Sequence, residues 1–415
     1  MSTGKLSFSN TKFISEEEHK LLSQRCHPCK GDLLISKVGT TGIPLIIDDD
    51  REFSIFVSLA LIKFFPKLID SSFLIVLLNS PLVQIQVKDN TRGVGNKNWV
   101  LTAISNTLLA IPPLYEQRRI VEKIAILSPY SERYAHSERK LSQLNREIGS
   151  NLKKSVLQEA IQGRLVPQDP NDEPASVLLQ RIKDEKMRLV KEGKLKKKDV
   201  VDSIIFRGDD NKYFEKKGKD TVCIDEEIPF EIPNTWEWVR LSDVVQVNPK
   251  NDAPDNTLAA FIPMERIDAT YLTSFTYSER KWGDIKAGFT HFADGDVAFA
   301  KITPCFQNRK SMILKGLPNG IGAGTTELKV LRPYADTIDR EYLLFFLESS
   351  YFVEEATFKG TANQQRIISG YMENKLFPLP PLSEQHRISE KIKESYKRIG
   401  LVASIMSRSM EIPYK

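Results

Sequence analysis

The chain contains few of the residues that build reactive centres. Its 415 residues include only four cysteines and five histidines. Cys26 and Cys29 have the spacing of a ligand pair, but no second pair or histidine cluster completes a tetrahedral zinc site. No Ser-His-Asp or Cys-His arrangement stands out either. We therefore expect reduced thiols, no bound metal and no nucleophilic catalysis.

Long hydrophobic runs are also missing. No stretch reaches the roughly 18 apolar residues that a membrane helix needs, and no signal peptide precedes the first domain. We therefore expect a soluble, cytoplasmic protein without a membrane segment. The composition is 41% hydrophobic and 27% charged, which is ample for two domains with their own cores. The net charge of +5 is compatible with nucleic acid binding but too small to establish it.

Motifs for nucleotide or metal chemistry are absent or incomplete. The glycines from 320 to 324 are followed by Thr325-Thr326-Glu327 instead of the Gly-Lys-Ser/Thr of a P-loop, which favours a turn between strands. Ile111-Pro112-Pro113-Leu114 lacks both the amide and the aromatic residue of the motif that holds a flipped adenine. Asp296, Glu327 and Lys329 resemble a nuclease metal site, but such triples arise readily in a chain rich in Glu and Lys. We expect the chain alone to be catalytically inert.

The chain does contain a nine-residue sequence motif that occurs twice. Residues 112–120 read Pro-Pro-Leu-Tyr-Glu-Gln-Arg-Arg-Ile, and residues 380–388 match them at seven of nine positions. Proline fixes φ and disfavours helix at the preceding residue, so a helix begins only after each proline pair. Apolar residues then recur at helical spacing with charged flanks, which is typical of a helix that packs on a partner helix. The sequence predicts helices over about 116–162, with a kink at Pro129, and 384–411.

The repetition extends upstream of this phrase. Residues 31–40 align with residues 295–304, and both read as a glycine turn, a buried strand and a polar loop headed by lysine. A second polar stretch, at 92–98 and again at 359–366, precedes each proline pair. The chain therefore contains two copies of one domain plus helix, which predicts a pseudo-twofold arrangement.

These residues carry a resemblance to a known family. The two proline phrases, the stretch Gly360–Ile367 and the helix end Leu152–Pro167 resemble the specificity (S) subunit of type I restriction-modification systems. The resemblance covers nearly the whole chain. It implies a mixed α/β (α+β) fold with two target-recognition domains in tandem, separated by two long antiparallel coiled-coil helices. Each domain would read one half of a split target in double-stranded DNA.

The same resemblance implies the partners. Two methyltransferase subunits, which use S-adenosylmethionine, would dock along the helices, and restriction subunits would supply an ATP-driven motor and a Mg²⁺-dependent nuclease. This chain would bind none of these cofactors. Two alternatives stay open: a truncated or inactive specificity subunit that reads only one half-site, and a single-chain metal-dependent nuclease.

The repeat sets the expected domain boundaries. They are a first recognition domain at 1–110, a helical spacer at 111–165, a short helix and charged linker at 166–225, a second recognition domain at 226–375 and a second helix at 376–415. Lysines alternate with acids over 191–219, which favours a solvated linker.

The two recognition domains differ at their start. About forty residues that precede the glycine turn of the second domain, including Trp236 and Trp238, have no counterpart in the first, which we expect to be N-terminally shortened. We interpret the two tryptophans as packing residues on one face of a strand. In the first domain, 53–62 reads as one or two buried strands and 71–83 as a helix.

Candidate DNA contacts lie in the polar loops, because side chains with paired donors and acceptors read base edges and cations neutralise phosphates. In the first domain they are Lys37, Thr40, Thr41, Arg92, Asn96, Lys97 and Asn98. In the second they are Lys301, Thr303, Gln307, Asn308, Arg309, Lys310, Thr361, Asn363, Gln364, Gln365 and Arg366. Contacts with partner subunits are predicted at the two helix starts, for Glu116, Gln117, Arg118, Ile120, Glu384, Gln385, Arg387 and Ile388.

Overall fold

A computed structural model describes residues 6–9, 11–93, 97–196, 200, 203–269, 271, 274–361, 364–368 and 370–410. It divides into two compact units, Met1–Leu141 and Ser142–Lys415. Within the described ranges, every helix is too short or too polar to span a bilayer.

The first unit contains a small sheet and several helices. In chain order these are α1 (Glu16–Arg25), β1 (Leu33–Ser36), β2 (Pro44–Ile46), β3 (Leu59–Ile62), α2 (Ser71–Leu78), α3 (Pro81–Asn90), α4 (Leu101–Ser105) and α5 (Leu114–Ile161), whose last twenty residues belong to the second unit.

Strand β1 is the centre of the first unit. It pairs antiparallel with β2 on one side and β3 on the other, and Leu33, Leu34 and Ile35 are completely buried. Helix α2 packs on this sheet and begins at Asp70, whose carboxylate accepts hydrogen bonds from the N–H groups of the first turn. The predicted glycine turn and buried strand are therefore confirmed in this copy.

Two element predictions in this unit were only partly right. One strand, Leu59–Ile62, forms within 53–62, whereas Phe56 and Val57 are exposed. The helix predicted over 71–83 is divided into α2 and α3, since Pro81 lacks the N–H needed to continue the first helix and opens the second instead.

The second unit is larger. After the end of α5 it contains α6 (Ala175–Lys191), β4 (Ser203–Arg207), β5 (Tyr213–Lys217), β6 (Asp220–Cys223), β7 (Glu237–Arg240), α7 (Leu241–Val244), β8 (Val245–Val247), β9 (Leu258–Ile262), β10 (Ser278–Lys281), α8 (Trp282–Ile285), β11 (Thr290–Ala293), β12 (Val297–Ala300), β13 (Ser311–Ile313), β14 (Ile321–Gly324), β15 (Leu328–Pro333), α9 (Arg340–Glu348), α10 (Ser350–Val353), β16 (Phe358–Thr361), β17 (Gln364–Ile367), α11 (Tyr371–Asn374), β18 (Leu376–Leu379) and α12 (Leu382–Met410).

The sheet around β12 repeats the sheet of the first unit. Strand β12 is fully buried and pairs antiparallel with β13 and β15, as β1 does with β2 and β3. Strand β8 extends this sheet beyond β15. A second four-stranded sheet has the order β10-β9-β14-β11, and its β9–β14 pair is parallel. The described strands thus form a mixed α/β unit, as the sequence predicted.

An ion pair at the glycine turn confirms that the two sheets are copies. Asp32 accepts hydrogen bonds from the Cys29 N–H (2.9 Å) and from Lys63 Nζ (2.7 Å). Asp296 accepts from the Ala293 N–H (2.7 Å) and from the Arg332 guanidinium (2.7 and 2.8 Å). The same carboxylate therefore closes the same turn in both units.

The glycines from 320 to 324 do not form the predicted turn. Gly322 and Gly324 lie within β14, between β9 and β11, whereas Gly320 ends the short helical turn Pro318–Gly320 that precedes the strand. A Cβ on Gly322 would lie 2.2 Å from the Phe292 ring and 2.7 Å from the Ala260 carbonyl oxygen. Gly322 and Gly324 have no room for a side chain because the Phe292 ring and the neighbouring strand β9 occupy that space.

The two long helices pack against each other within the second unit. Leu157 and Ile161 of α5 share one core with Ile388 and Ile392 of α12. A Cβ on Gly149 of α5 would lie 3.7 Å from Ala403 of α12, and one turn further along α5 Lys153 Nζ lies 5.2 Å from the ring of Tyr396 of α12. As the residue number increases along α5, the number of its neighbour on α12 decreases. The predicted antiparallel arrangement is therefore confirmed for this stretch.

The predicted bounds of these helices agree with the structure to within two residues at the described ends. Helix α5 has 48 residues and continues through Pro129. At about 1.5 Å per residue it is roughly 72 Å long. Gly163 follows with φ +70°, and a Cβ there would lie 2.4 Å from Pro233, so both the backbone and the packing require glycine.

Two further predictions in the second unit need correction. The stretch 191–219 is not only a linker, because β4, β5 and β6 form an antiparallel sheet whose Ile205 packs with Trp238. Trp236 precedes β7 and packs near Tyr342, so the two tryptophans belong to different clusters. Their role as packing residues is confirmed, since each is at most 3% exposed.

Candidate DNA interface

The loop after β12 and the hairpin β16–β17 are joined into one surface. The Thr303 N–H donates to the Gln365 carbonyl (2.8 Å), and the Gln365 N–H donates to Thr303 Oγ1 (3.2 Å). The Ile367 N–H donates to the Lys301 carbonyl (3.0 Å). The loop after β12 and the hairpin β16–β17, which the sequence analysis gave as two separate candidate groups, are therefore held side by side.

The first unit repeats this connection. The Trp99 N–H donates to the Lys37 carbonyl (2.7 Å), and the Gly39 N–H donates to the Lys97 carbonyl (2.9 Å). Asn98 forms bridges with both Val38 and Arg92. Each of these contacts has a counterpart in the second unit. There Arg366 forms bridges with Ile302 and Lys359, as Asn98 does with Val38 and Arg92. Each copy thus presents one composite surface, which we call the loop–hairpin surface.

Several predicted side chains lie exposed on these two surfaces. In the second unit they are Gln307, Asn308, Thr361 and Gln364, and in the first Thr40, Arg92 and Lys97. Lys37, Thr41, Asn98, Lys301, Thr303 and Gln365 are partly buried. Asn96 and Asn363 lie outside the described residues. The exposed amides of Gln307 and Asn308 carry both a donor and an acceptor, which base-edge recognition requires.

Two predicted cations are engaged inside the second unit. Arg309 donates from Nε to the Glu348 carbonyl (2.8 Å), and its guanidinium lies 5.5 Å from the ring of Tyr271. Lys310 Nζ donates to the Met264 carbonyl (3.1 Å). These contacts hold both side chains against the second unit, and DNA contact by them stays a prediction.

Arg366 forms an ion pair that the sequence did not reveal. Its Nε donates to both carboxylate oxygens of Glu327 (3.0 and 2.9 Å), and its Nη2 donates to one of them (2.7 Å). The hydrogen bonds from Arg366 lower the pKa of Glu327, so the carboxylate is charged at neutral pH. Glu327 therefore offsets one positive charge of the loop–hairpin surface.

The side chain of Gln385 joins the start of α12 to the start of α9. Its Oε1 accepts from the Asp339 N–H (2.8 Å), and its Nε2 donates to the carbonyls of Pro380 (2.9 Å) and Thr337 (3.3 Å). Asp339 in turn caps α9 through its carboxylate. We call this arrangement the glutamine latch.

The first unit contains the same latch. Gln117 Oε1 accepts from the Asp70 N–H (2.8 Å), and its Nε2 donates to the carbonyls of Pro112 and Leu68 (both 2.9 Å). The sequence carries a signal for it that went unnoticed: residues 69–74 and 338–343 both read Ile-Asp-x-x-aromatic-Leu. Both glutamines are completely buried. Partner contacts are no longer expected of them.

Other helix-start residues differ between the copies. Glu384 is completely buried and accepts from Trp236 Nε1 (2.9 Å) and Gln168 Nε2 (2.5 Å). Burial raises the pKa of Glu384, although these hydrogen bonds oppose the shift. Arg387 binds the carboxylate of Asp172 (2.5 and 3.1 Å). Ile388 is also buried, so a direct partner contact is no longer expected of Glu384 and Ile388. For Arg387, whose side chain is 36% exposed, the partner contact stays a prediction.

The other predicted contact residues of the first unit are more accessible. Glu116 is exposed, and the side chain of Arg118, which aligns with His386, is 67% exposed. Ile120 is partly buried against the core of its own unit. For Glu116 and Arg118 the partner contact stays a prediction.

Asp296, Glu327 and Lys329, which resembled a nuclease metal site in the sequence, do not form one site in the structure. Asp296 is held by Arg332, Glu327 by Arg366, and Lys329 Nζ donates to Glu373 (2.9 Å). In the described part of the chain no three His, Cys, Asp or Glu side chains are grouped as a metal would require. The geometry therefore gives no support to metal-dependent cleavage.

Together, the fold and these surfaces define a protein with two copies of a mixed α/β domain, each with a loop–hairpin surface and a helix latched to it. A family model described as the type I restriction modification DNA specificity domain matches residues 3–146 and 233–405. The chain belongs to this family.

Curated relatives also match part of the chain. The chain is 46% identical over 240 residues to the type I restriction enzyme EcoAI specificity subunit of Escherichia coli, and 42% identical over 240 residues to the EcoEI specificity subunit. The matched segment is 57% of this chain but only 38% and 37% of those relatives. A chain from a structure describing complex assembly and conformational transition of the type I R-M system is 18% identical, with a TM-score of 0.45 and coverage of 92% of this chain and 78% of that chain.

Proposed function

We propose that the chain is the DNA sequence-specificity subunit of a type I restriction-modification complex. It recognises a bipartite target in double-stranded DNA and catalyses no reaction itself. The observation that carries the proposal is the repeated loop–hairpin surface, which the same backbone hydrogen bonds support in both units of a chain from this family. Exposed amides would read bases, and lysine and arginine would contact phosphates.

The partners follow from the same proposal. Two methyltransferase subunits would bind along the helices and use S-adenosylmethionine, and restriction subunits would use ATP and Mg²⁺. The complex would act in the cytoplasm. Phosphate contacts would supply much of the affinity, so DNA binding should weaken steeply as salt increases.

Exchange of one recognition domain tests the proposal. Residues 226–375 would be replaced by the corresponding domain of another family member, and the methylated sequence would be mapped in cells that also express the methyltransferase subunit. We expect one half of the methylated motif to change and the other half to stay. A change in both halves would contradict modular reading.

A second candidate is a subunit that reads only one half-site. Residues 108–111 of the first unit belong to no described strand, whereas the aligned residues of the second unit form strand β18, so the described parts of the two copies differ. The same exchange separates the candidates, because a one-domain reader would lose its whole motif and acquire a new one.

The Arg366–Glu327 pair predicts a substitution that increases affinity for DNA, whereas most substitutions at a binding surface decrease it. Glu327→Gln should increase duplex affinity about fivefold at low salt, because a single charge interaction near a phosphate is worth about 1 kcal/mol in water. The gain should shrink as salt increases. Gel shifts over a salt series would measure it, with Glu390→Gln, an exposed site on α12, as the control for net charge. Reduced affinity would instead show that Glu327 positions Arg366 for contact.

A further inference from the structure

A third segment adjoins the loop–hairpin surface of the second unit. It is the turn at residues 325–328, between β14 and β15, which the Leu328 N–H closes by donating to the Thr325 carbonyl (3.1 Å). The Lys301 N–H donates to the Glu327 carbonyl (2.8 Å) at the point where the loop after β12 begins. The Glu327 carboxylate binds Arg366 of the hairpin β16–β17. The turn is therefore attached to both segments of the surface.

The first unit contains the same turn at residues 56–59. The Leu59 N–H donates to the Phe56 carbonyl (3.0 Å), and the Lys37 N–H donates to the Ser58 carbonyl (2.8 Å). Each turn leads directly into the strand that pairs with the central strand of its sheet, β3 with β1 and β15 with β12. The turn thus belongs to the repeated frame of the loop–hairpin surface.

The side chains of the two turns differ although their main-chain bonds are the same. Residues 56–58 are Phe-Val-Ser, and residues 325–327 are Thr-Thr-Glu. By contrast, the glycine turn at the other end of the central strand is Gly-Asp in both units. A protein that reads two different half-sites needs different side chains on a shared frame, because different base pairs present different donors and acceptors.

Thr326 is the exposed residue at the centre of the second turn. Its hydroxyl can both donate and accept a hydrogen bond. Within the part of the chain that the structure describes, this hydroxyl has no hydrogen-bond partner, whereas Thr325 Oγ1 accepts from the Glu327 N–H (3.3 Å). The neighbours of Thr326 are therefore fixed, and its own side chain is available for a contact outside the chain.

We propose that Thr326 is a specificity-determining residue whose hydroxyl forms a hydrogen bond with the edge of one base pair, in the half-site that the second unit reads. The inference rests on the proposed function, because it assigns a further reader to the same surface. Threonine hydroxyls are suited to either the donors or the acceptors of base edges. Val57, at the aligned position of the first unit, can make only apolar contacts, for which the thymine methyl group is the matching feature.

Selection from a pool of duplexes tests this assignment. The full chain would be mixed with duplexes randomised over about two helical turns, and the bound duplexes would be sequenced. Thr326→Val replaces the hydroxyl by a methyl group and installs the residue that already stands in the aligned turn of the first unit. We expect the preference at one base pair of one half-site to decrease about fivefold, as loss of one neutral hydrogen bond predicts, while all other positions are unchanged.

Two further variants separate base reading from a structural role. Thr326→Ser keeps the hydroxyl and should keep the preference at that base pair within about twofold. Thr221→Val makes the same chemical change at an exposed position of β6 and should leave the selected sequence unchanged. The unfolding temperature and the salt dependence of binding should be the same for Thr326→Val and the unaltered chain, because no ion pair with a phosphate is removed.

Three results would overturn the proposal. An unchanged selected sequence with Thr326→Val would show that the hydroxyl contacts no base. A uniform loss of affinity for all duplexes, or a lowered unfolding temperature, would assign the hydroxyl to the DNA backbone or to the fold of the turn. If the unaltered chain selected no sequence at all, the proposed function would be contradicted and this inference with it, whereas the first two results contradict only the role of Thr326.

Discussion

Gln385→Ala should lower the free energy of unfolding of the second unit by about 3 kcal/mol. The substitution removes the glutamine latch and leaves the Asp339 N–H and the Pro380 and Thr337 carbonyls without their partner. Each buried polar group that loses its hydrogen bond costs about 1 kcal/mol or more, and the vacated volume adds to the destabilisation. Chemical denaturation followed by hydrogen exchange of α9 and α12 would measure the effect.

The chain offers matched controls for this result. Gln117→Ala removes the same three bonds from the first unit and should cost a similar amount there. Gln143→Ala, whose exposed side chain donates to Glu147 on the helix surface, should change stability by less than about 0.5 kcal/mol. Gln385→Glu keeps the shape but cannot donate to the two carbonyls, so it should also destabilise. A decrease below about 1 kcal/mol in Gln385→Ala would contradict the latch.

Substituting Gln307 and Asn308 by alanine should reduce affinity for the target sequence by roughly tenfold to a hundredfold for each base that an amide no longer reads. Both amides are exposed on a loop that Thr303 and Gln365 hold in place. Binding to unrelated duplex should change little, because phosphate contacts carry no sequence information. Competition gel shifts at one salt concentration would compare target and scrambled duplexes, using the target that methylation mapping identifies.

Lys359, an exposed cation on β16, supplies the contrasting variant. Lys359→Gln should weaken binding to both duplexes alike and reduce the salt dependence by about one phosphate contact. If the alanine variants of Gln307 and Asn308 behaved like Lys359→Gln, their amides would be contacting the backbone, and base reading by this loop would be refuted.

Local chemistry explains which elements the sequence predicted well. The long helices begin after proline pairs, and the first ends at Gly163, where backbone and packing both demand glycine. The buried strands β1 and β12 follow glycine turns that a carboxylate closes. In each case a few adjacent residues determine the conformation, so no tertiary information was needed.

Side-chain partners between distant segments were harder to predict. Arg309 and Arg366 were both predicted to contact DNA. In the structure Arg309 donates to the Glu348 carbonyl, and Arg366 forms an ion pair with Glu327. These contacts depend on the register of strands and hairpins that lie far apart in the chain. The charged stretch 191–219 was predicted to be a solvated linker. Its strands contribute one buried side chain, Ile205, to a core cluster, and one apolar residue gives little sequence signal for a sheet.

The glutamine latch has a consequence for how new specificities could arise. Its bonds run from one amide to main-chain groups, among them the N–H of a helix cap, and none of them involves the loop after β12 or the hairpin β16–β17. Mutations at Gln307, Asn308 or Gln364 can therefore accumulate without altering the angle at which the domain meets its helix. If these loop residues read the bases, an altered preference for bases would need no change at the latch, because the latch is built from other residues.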